Sequence, residues 1–233
     1  MKKINILFAI TLLTGILVSC EYDNYEEPKS QLQGSLVYEG DPINVAYNEV
    51  SFQLWEDGWE LEYPIDVEVD QNGSYSAMLF NSTYKLIIDE HQGPFRNIPD
   101  PDTGSDTIEV EVNGDKEMDI EVEPYYMIRN EDFSVSGGEV NASFALEQII
   151  SGDDARDVEA VHLSVHKRQF VDNLNNLENT TIGGGDIDDP ENVSLSVGIP
   201  DMTPSQDYVF ARIGVKIAGV EDLLFSEVVK LDI

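Results

Sequence analysis

Apolar and polar residues alternate with a period of two through much of the chain. In the first half, this pattern occupies residues 32–38, 50–54, 65–69, 108–112 and 118–122. In the second half, strand-like runs occupy residues 140–146, 158–166, 193–197, 208–215 and 225–231. Because successive side chains of a strand point to opposite faces of a sheet, each segment predicts a strand with one face in a core and the other in water.

Turn-forming residues separate these segments. Asn72-Gly73 and Asn113-Gly114 each lie between two alternating segments, where such pairs favour a type I′ hairpin turn with positive φ at both positions. Pro124 closes the first half, because proline cannot donate to a sheet ladder. The sequence therefore predicts an all-β chain, with two tandem antiparallel β-sandwiches over residues 29–124 and 125–233.

Residues 1–19 are predicted to be a lipoprotein signal peptide. Lys2-Lys3 precede an apolar run, residues 4–18, that is shorter than the ~20 residues needed to span a bilayer, as is typical of secretory signals. The alternative is a buried N-terminal helix. The segment Leu17-Val18-Ser19-Cys20 resembles the lipobox of bacterial lipoproteins. The resemblance implies that Cys20 carries acyl chains, which would anchor the protein to a membrane.

An acidic tether is predicted over residues 20–28. Residues 21–27, Glu-Tyr-Asp-Asn-Tyr-Glu-Glu, resemble the signal by which Bacteroides-type bacteria export lipoproteins to the outer leaflet. The alternative is a solvated linker, which any anchored domain needs. We therefore expect an outer-membrane protein that faces the cell exterior.

The charge and cysteine content exclude several classes of function. The chain has 46 Asp and Glu against 13 Lys and Arg, for a net charge of −33. This excess argues against binding nucleic acid, because affinity for phosphates depends on Lys and Arg. Hydrophobic residues make up 41% of the chain, which is enough to bury a core. Since Cys20 is the single cysteine, an internal disulfide, a cysteine-rich zinc site and an iron–sulfur cluster are excluded.

Aromatic residues are the feature most consistent with binding sugar. Trp55, Trp59 and Tyr63 lie at four-residue spacing, and Trp55 is expected on the outward side of its strand because Leu54 takes the inward side. Exposed rings can stack on the apolar face of a pyranose, so these three residues are the candidate glycan-binding site. The alternative is that both indoles cover the open end of a sandwich or a contact between domains.

A loop rich in aspartate is a candidate calcium site. Asp100, Asp102 and Asp106 place oxygen ligands at alternating positions, and Glu111 falls where a twelve-residue loop would place its last ligand. The alternative is an ordinary surface turn. We expect no other cofactor. In the same loop, Asp106-Thr107-Ile108 resembles the O-glycosylation sequon of Bacteroides-type bacteria, which makes Thr107 a candidate modification site.

The sequence contains no recognisable catalytic motif. His162 and His166 would share one face of a helix, as in zinc sites, but the residues around them favour a strand, where they would lie ~13 Å apart. Gly-x-Ser-x-Gly, phosphate-loop and Cys/His patterns are absent. We therefore expect a protein that is not an enzyme.

The first half is similar to carboxypeptidase-regulatory-like domains. The resemblance rests on residues 34–36, 40–43 and 50–54, then on residues 67–75 and 83–86, where Thr83-Tyr84 begins a strand. Ser82 departs from the family, which usually has glycine there. In the second half, residues 202–212 resemble the E–F corner of a fibronectin type III domain, where a tyrosine hydroxyl caps the corner.

Both halves together resemble the lipoproteins of the domain-of-unknown-function 3823 family. The segment Cys20 to Tyr25 and the boundary Glu123-Pro124-Tyr125 are the most specific parts of this resemblance. It implies an accessory protein of a polysaccharide-utilisation system, with an outer-membrane transporter and its glycan-capturing lipoprotein as partners. Two functions remain open: a glycan-binding accessory lipoprotein, or a structural module that holds a surface complex together without contacting sugar.

Overall fold

The structure is a computed structural model that describes residues 26–58, 63–89 and 92–233. Within these ranges the regular structure consists of strands and of three short 3-10 turns, at Gly152–Asp154, Gly184–Asp186 and Pro190–Asn192. The prediction of an all-β chain with two sandwich domains is confirmed.

The described residues of the first half form ten strands in two sheets. They are β1 (Ser30–Tyr38), β2 (Asp41–Pro42), β3 (Ser51–Glu56), β4 (Ile65–Glu68), β5 (Ser74–Leu79), β6 (Ser82–Ile87), β7 (Phe95–Asn97), β8 (Ile108–Val112), β9 (Lys116–Glu117) and β10 (Ile120–Pro124). One sheet has the order β2-β1-β10-β7, with β5 and β9 also paired to β1, and the other has the order β4-β3-β6-β8. The alternating apolar positions face inward between the sheets, where the rings of Phe52 and Tyr75 meet edge to face at 4.9 Å.

The first sheet is not purely antiparallel, because β1 pairs in parallel with both β9 and β10. Parallel neighbours need a long connection, and here most of the first half lies between them. At this crossing, Gly34 of β1 passes directly beneath the backbone of Met118. A Cβ atom on Gly34 would lie 1.8 Å from the carbonyl oxygen of Met118.

The two Asn-Gly turns differ from the predicted type I′ geometry. Gly73 and Gly114 have positive φ, but within the described ranges the preceding asparagines do not. The amide of Gly73 donates to the carbonyl of Asp70, so the turn spans four residues and only its last one is left-handed. This arrangement is typical of a type I turn followed by a left-handed glycine, which leaves the Asn72 side chain free to bond Ser74.

The second half contains eight strands in two sheets. They are β11 (Tyr126–Ser136), β12 (Glu139–Gln148), β13 (Val158–His166), β14 (Glu178–Gly183), β15 (Val193–Gly198), β16 (Tyr208–Ile217), β17 (Leu224–Phe225) and β18 (Val229–Asp232). The sheet orders are β11-β12-β15 and β14-β13-β16-β17, with β18 also paired to β16. Val161, Leu163 and Ile213 are fully buried between these sheets.

The two halves are joined by an extensive junction. The amide of Phe225 donates to the carbonyl of Asn44 at 3.0 Å, and Ala46 packs with Leu223 and Phe225. Three of the five arginines in this acidic sequence also bond across the junction: Arg96 to Asp154, Arg129 to Asp41 and Arg212 to Gln71. The halves are therefore held in one arrangement by backbone, apolar and charged contacts.

Candidate functional site

The predicted aromatic site is only partly described by the structure. Trp55 lies on the outward side of β3, opposite Lys85, as the alternation predicts. The indole is half-buried and its Nε1 donates to Oε1 of Gln53 at 3.1 Å. Trp59 lies outside the described residues, so the proposed pairing of the two indoles stays a prediction.

Tyr63 lies at a different surface. Its side chain is 77% exposed and lines a groove of about 370 Å³ at the end of the first sandwich. The lining residues are Pro28, Leu54, Glu56, Tyr63, Ile65, Met78, Leu79, Phe80 and Tyr84. Leu54 faces this groove, whereas Trp55, the next residue on β3, faces the other side of the sheet. The structure therefore does not place Trp55 and Tyr63 on one surface.

The aspartate loop is organised by its own hydrogen bonds. Oδ1 of Asp100 accepts bonds from the amides of Asp102 and Thr103 and from the Thr103 hydroxyl. These bonds stabilise the carboxylate and lower the pKa of Asp100, those from Thr103 most. In the described part of the chain, no three His, Cys, Asp or Glu side chains are grouped so as to hold a metal ion. Asp106 and Thr107 lie in the same loop, and the glycosylation of Thr107 stays a prediction.

The two histidines lie on a strand, as the sequence favours. Nδ1 of His162 is 2.8 Å from the Thr181 hydroxyl on the neighbouring strand, and Nδ1 of His166 accepts a bond from the Arg168 amide. Burial disfavours the charged form of both imidazoles, so the pKa of each is lowered. Each histidine is thus engaged locally.

An acidic cleft of about 590 Å³ lies on the first half, where β1, β5 and β9 meet. Its walls include four carboxylates: Glu68, Asp70, Glu117 and Asp119. Asp119 accepts a bond from the Ser35 amide, and Glu117 accepts one from the Gln33 side chain. These carboxylates therefore already hold β1 to the segment around β9.

A second cavity, the interdomain groove, is built by both halves and has a volume of about 380 Å³. Its lining residues are Asn44, Gln71, Asn72, Gln169, Phe210, Glu227, Val228 and Lys230. Among these described residues there is one acid and one base, so they form a formally neutral lining in a chain whose net charge is −33. The groove is also rich in carboxamides, which combine a donor and an acceptor in one group.

The first half supplies one wall of the interdomain groove. Asn44 is placed by its backbone contact to Phe225, and Gln71 and Asn72 lie at the tip of the turn between β4 and β5. Oδ1 of Asn72 accepts bonds from both the amide and the hydroxyl of Ser74. Among the described residues, the side-chain amides of Asn44 and Gln71 make no hydrogen bond with the protein.

The second half supplies the other wall from two paired strands. Phe210 of β16 lies directly opposite Lys230 of β18, so both side chains share one face of the sheet. Tyr208 meets Phe210 edge to face at 5.7 Å, and Nζ of Lys230 lies 4.0 Å from the centre of the Tyr208 ring. The cation–π contact keeps the ammonium beside the half-buried ring of Phe210. Gln169, from the loop after β13, completes this wall.

Tyr208 does not form the predicted tyrosine corner. Within the described ranges its hydroxyl makes no hydrogen bond, and the ring instead packs between Phe210 and Lys230. The pairing of β16 with β18 places Lys230 over the ring, a contact that the sequence motif alone does not contain.

Arg212 supports the interdomain groove from behind. It is 1% exposed, and its guanidinium donates to the carbonyls of Ser226 at 2.9 Å and Gln71 at 2.6 Å. The same group lies 4.4 Å from the centre of the Phe225 ring. Burial lowers the pKa of Arg212 to about 10, because the charged form loses its hydration. Arg212 therefore holds the Gln71 turn against the second half.

The interdomain groove was missed by the sequence analysis. Asn44, Gln71, Gln169, Phe210 and Lys230 are spread over most of the chain, and no spacing between them indicates that they meet. The alternation of Phe210 with buried Val209 and Ala211 could have placed its ring outside the core.

In the described part of the chain, no helix has the length and apolar character needed to cross a bilayer.

Two family models together match almost all the described residues. The model for the N-terminal domain of DUF3823, a protein family of unknown function, matches residues 30–123. The model for the C-terminal domain of unknown function, DUF3823_C, matches residues 126–230. No curated protein matches the chain.

Solved structures agree with these matches. A DUF3823 family protein from Parabacteroides merdae is 34% identical, with a TM-score of 0.76 over 89% of this chain and 100% of that one. A second, from Bacteroides ovatus, is 27% identical, with a TM-score of 0.77 over 88% of this chain and 99% of that one. A Bacteroides uniformis protein that is provisionally named a carbohydrate binding protein is 19% identical, with a TM-score of 0.68 over 88% of this chain and 100% of that one. This last likeness shows the fold alone.

Proposed function

We propose that this chain, which belongs to the DUF3823 family and contains both of its domains, is a non-catalytic glycan-binding lipoprotein. Its binding site in this proposal is the interdomain groove. The proposal agrees with the resemblance that the sequence carries and with the provisional name of the B. uniformis protein.

The composition of the interdomain groove is the observation that carries the proposal. Its carboxamides match sugar hydroxyls, because both kinds of group donate and accept hydrogen bonds. The ring of Phe210 offers an apolar surface to the C–H groups of a pyranose. Since the lining is formally neutral, a neutral polysaccharide fits it better than a cation, despite the strongly acidic chain.

The paired variant Gln71→Ala/Gln169→Ala is expected to weaken glycan binding by about thirtyfold. Each lost hydrogen bond contributes ~1 kcal/mol, and 1.4 kcal/mol corresponds to about tenfold in affinity. Neither side-chain amide bonds to the protein within the described residues, so the fold should be unchanged. Titration calorimetry of the mature protein against a panel of neutral plant and host polysaccharides measures the effect.

Trp55→Ala is the matched control, because Trp55 lies on the outer face of β3, away from the groove lining. If Trp55→Ala or Tyr63→Ala abolishes binding and the groove variant does not, the site predicted from sequence is correct and the groove is wrong. If no polysaccharide in the panel binds, the structural-module function replaces the proposed one.

Binding should be nearly insensitive to salt, because a neutral sugar is not attracted by the protein's charge.

The anchoring part of the proposal rests on Cys20, which lies outside the described residues. We propose that acyl chains on Cys20 hold the protein at the outer membrane, facing the exterior, beside a transporter and its glycan-capturing lipoprotein. Cys20→Ala is then expected to release the protein into the soluble fraction, since acyl chains supply the membrane affinity. Fractionation with a high-pH wash measures this, and a Cys20→Ala protein that still pellets would contradict lipid anchoring.

A further inference from the structure

Two exposed aromatic rings from different halves of the protein contact each other beside the interdomain groove. The ring centres of Tyr47 and Phe170 are 4.9 Å apart, with 58° between the ring planes. Tyr47 is 48% exposed and Phe170 is 45% exposed. Large apolar side chains that remain this exposed after pairing are available for contact with a ligand. We call Tyr47 and Phe170 the aromatic pair.

The aromatic pair lies next to the groove. Phe170 directly follows Gln169, which lines the groove, and consecutive Cα atoms are only about 3.8 Å apart. Tyr47 lies three residues after Asn44, which lines the opposite wall. Each ring of the pair is therefore carried by a segment that also lines the groove, one from each half.

Both rings are carried by loops that the protein holds in place. The loop of Phe170 is organised by Asp172, which is 6% exposed and accepts bonds from the amides of Leu174 and Asn175. The loop of Tyr47 is held by Ala46, which is buried in the junction against Phe225. The rings thus lie on ordered loops, so binding a ligand would cost little conformational entropy of the protein.

We propose that the aromatic pair is a second subsite for the same neutral glycan, and that the ligand is a polysaccharide chain long enough to span the groove and the pair. This inference rests on the proposed function. The groove supplies hydrogen bonds for one part of the chain, and the exposed ring faces stack on the sugars that extend beyond it. Since the groove lining is formally neutral, a continuous uncharged ligand fits both surfaces.

The inference is tested with ladders of malto-, xylo-, manno- and laminari-oligosaccharides, from disaccharides to octasaccharides, titrated against the mature protein. For the ladder that binds, affinity of the native protein should rise with chain length. Tyr47→Ala/Phe170→Ala should lower the affinity for the longest member by about 25-fold, at roughly fivefold per stacked ring, and leave the affinity for the shortest binding member unchanged. The length dependence should be largely lost.

Leu174→Ala is the matched control, because Leu174 is 79% exposed on the same loop but is not part of the pair. Thermal unfolding checks that the paired variant remains folded, and Tyr47→Phe, which keeps the ring, should retain most of the affinity. If groove variants reduce binding but the paired variant affects all lengths equally or none, the second subsite is wrong while the proposed function stands. If no ladder and no polysaccharide binds, the proposed function fails and this inference fails with it.

Discussion

Arg212→Ala is expected to lower the unfolding temperature by about 9 °C. The substitution leaves the carbonyls of Gln71 and Ser226 without their buried donor, and an unsatisfied buried group costs about 1–3 kcal/mol. Together with the lost contact to Phe225, we expect the free energy of unfolding to fall by about 3 kcal/mol. In a protein of this size each kcal/mol lowers the unfolding temperature by about 2–4 °C, so the total is about 9 °C. Calorimetry or circular dichroism during heating measures the shift.

Two variants control for the loss of charge alone. Arg168→Ala removes an arginine whose side chain lies at the surface, so its unfolding temperature should change by no more than about 1 °C. Arg212→Lys keeps the charge but not the planar guanidinium that reaches two carbonyls. It should therefore lose a large part of the stability that Arg212 contributes. An Arg212→Ala protein as stable as the native one would contradict the structural role of this residue.

Gly34→Ala is expected to prevent the first half from folding, or to destabilise it by more than about 4 kcal/mol. The added methyl would lie 1.8 Å from the carbonyl oxygen of Met118 and 2.6 Å from its carbon. Both atoms belong to backbone that is itself bonded to β1, so neither can move aside without breaking the parallel pairing. The yield of soluble protein and its unfolding temperature report the effect.

Gly198→Ala is the matched control for this substitution. Gly198 also lies in a strand, but a Cβ atom there would meet no atom of the described residues within 4 Å. Its stability should therefore change little, or increase slightly as the unfolded chain loses freedom. Native-like stability of Gly34→Ala would show that β1 and the Met118 segment are further apart than the structure places them.

The alternating pattern predicted most of the strands because it reflects a local property of the chain. Val50, Phe52 and Leu54 are buried, and the neighbouring Trp55 faces outward, as expected from the period of two. The family, too, is confirmed. The parallel pairing of β1 with β10 was not predicted, because alternation determines which face of a strand is buried and not which strand lies beside it.

The candidate site was harder to predict because it depends on contacts between distant residues. Asn44, Gln71 and Gln169 are polar residues in loops, and their sequence context distinguishes them from no other carboxamide. Tyr208 matched a known corner motif, yet the ring packs against Lys230, which arrives from the final strand. The sequence favoured a site at the tryptophans, because large exposed rings can stack on sugars. The proposed groove instead contains Phe210, a half-buried residue in a strand that is mostly buried.

The junction that Arg212 supports also couples the unfolding of the two sandwiches. Buried residues of both halves form one continuous core, so exposing either half removes apolar contacts from the other. A protein joined in this way should melt in a single calorimetric transition, with the van't Hoff enthalpy close to the measured enthalpy of the whole chain. A glycan bound between the halves would then raise the melting temperature of every strand, including those far from the groove, as its concentration increases above the dissociation constant.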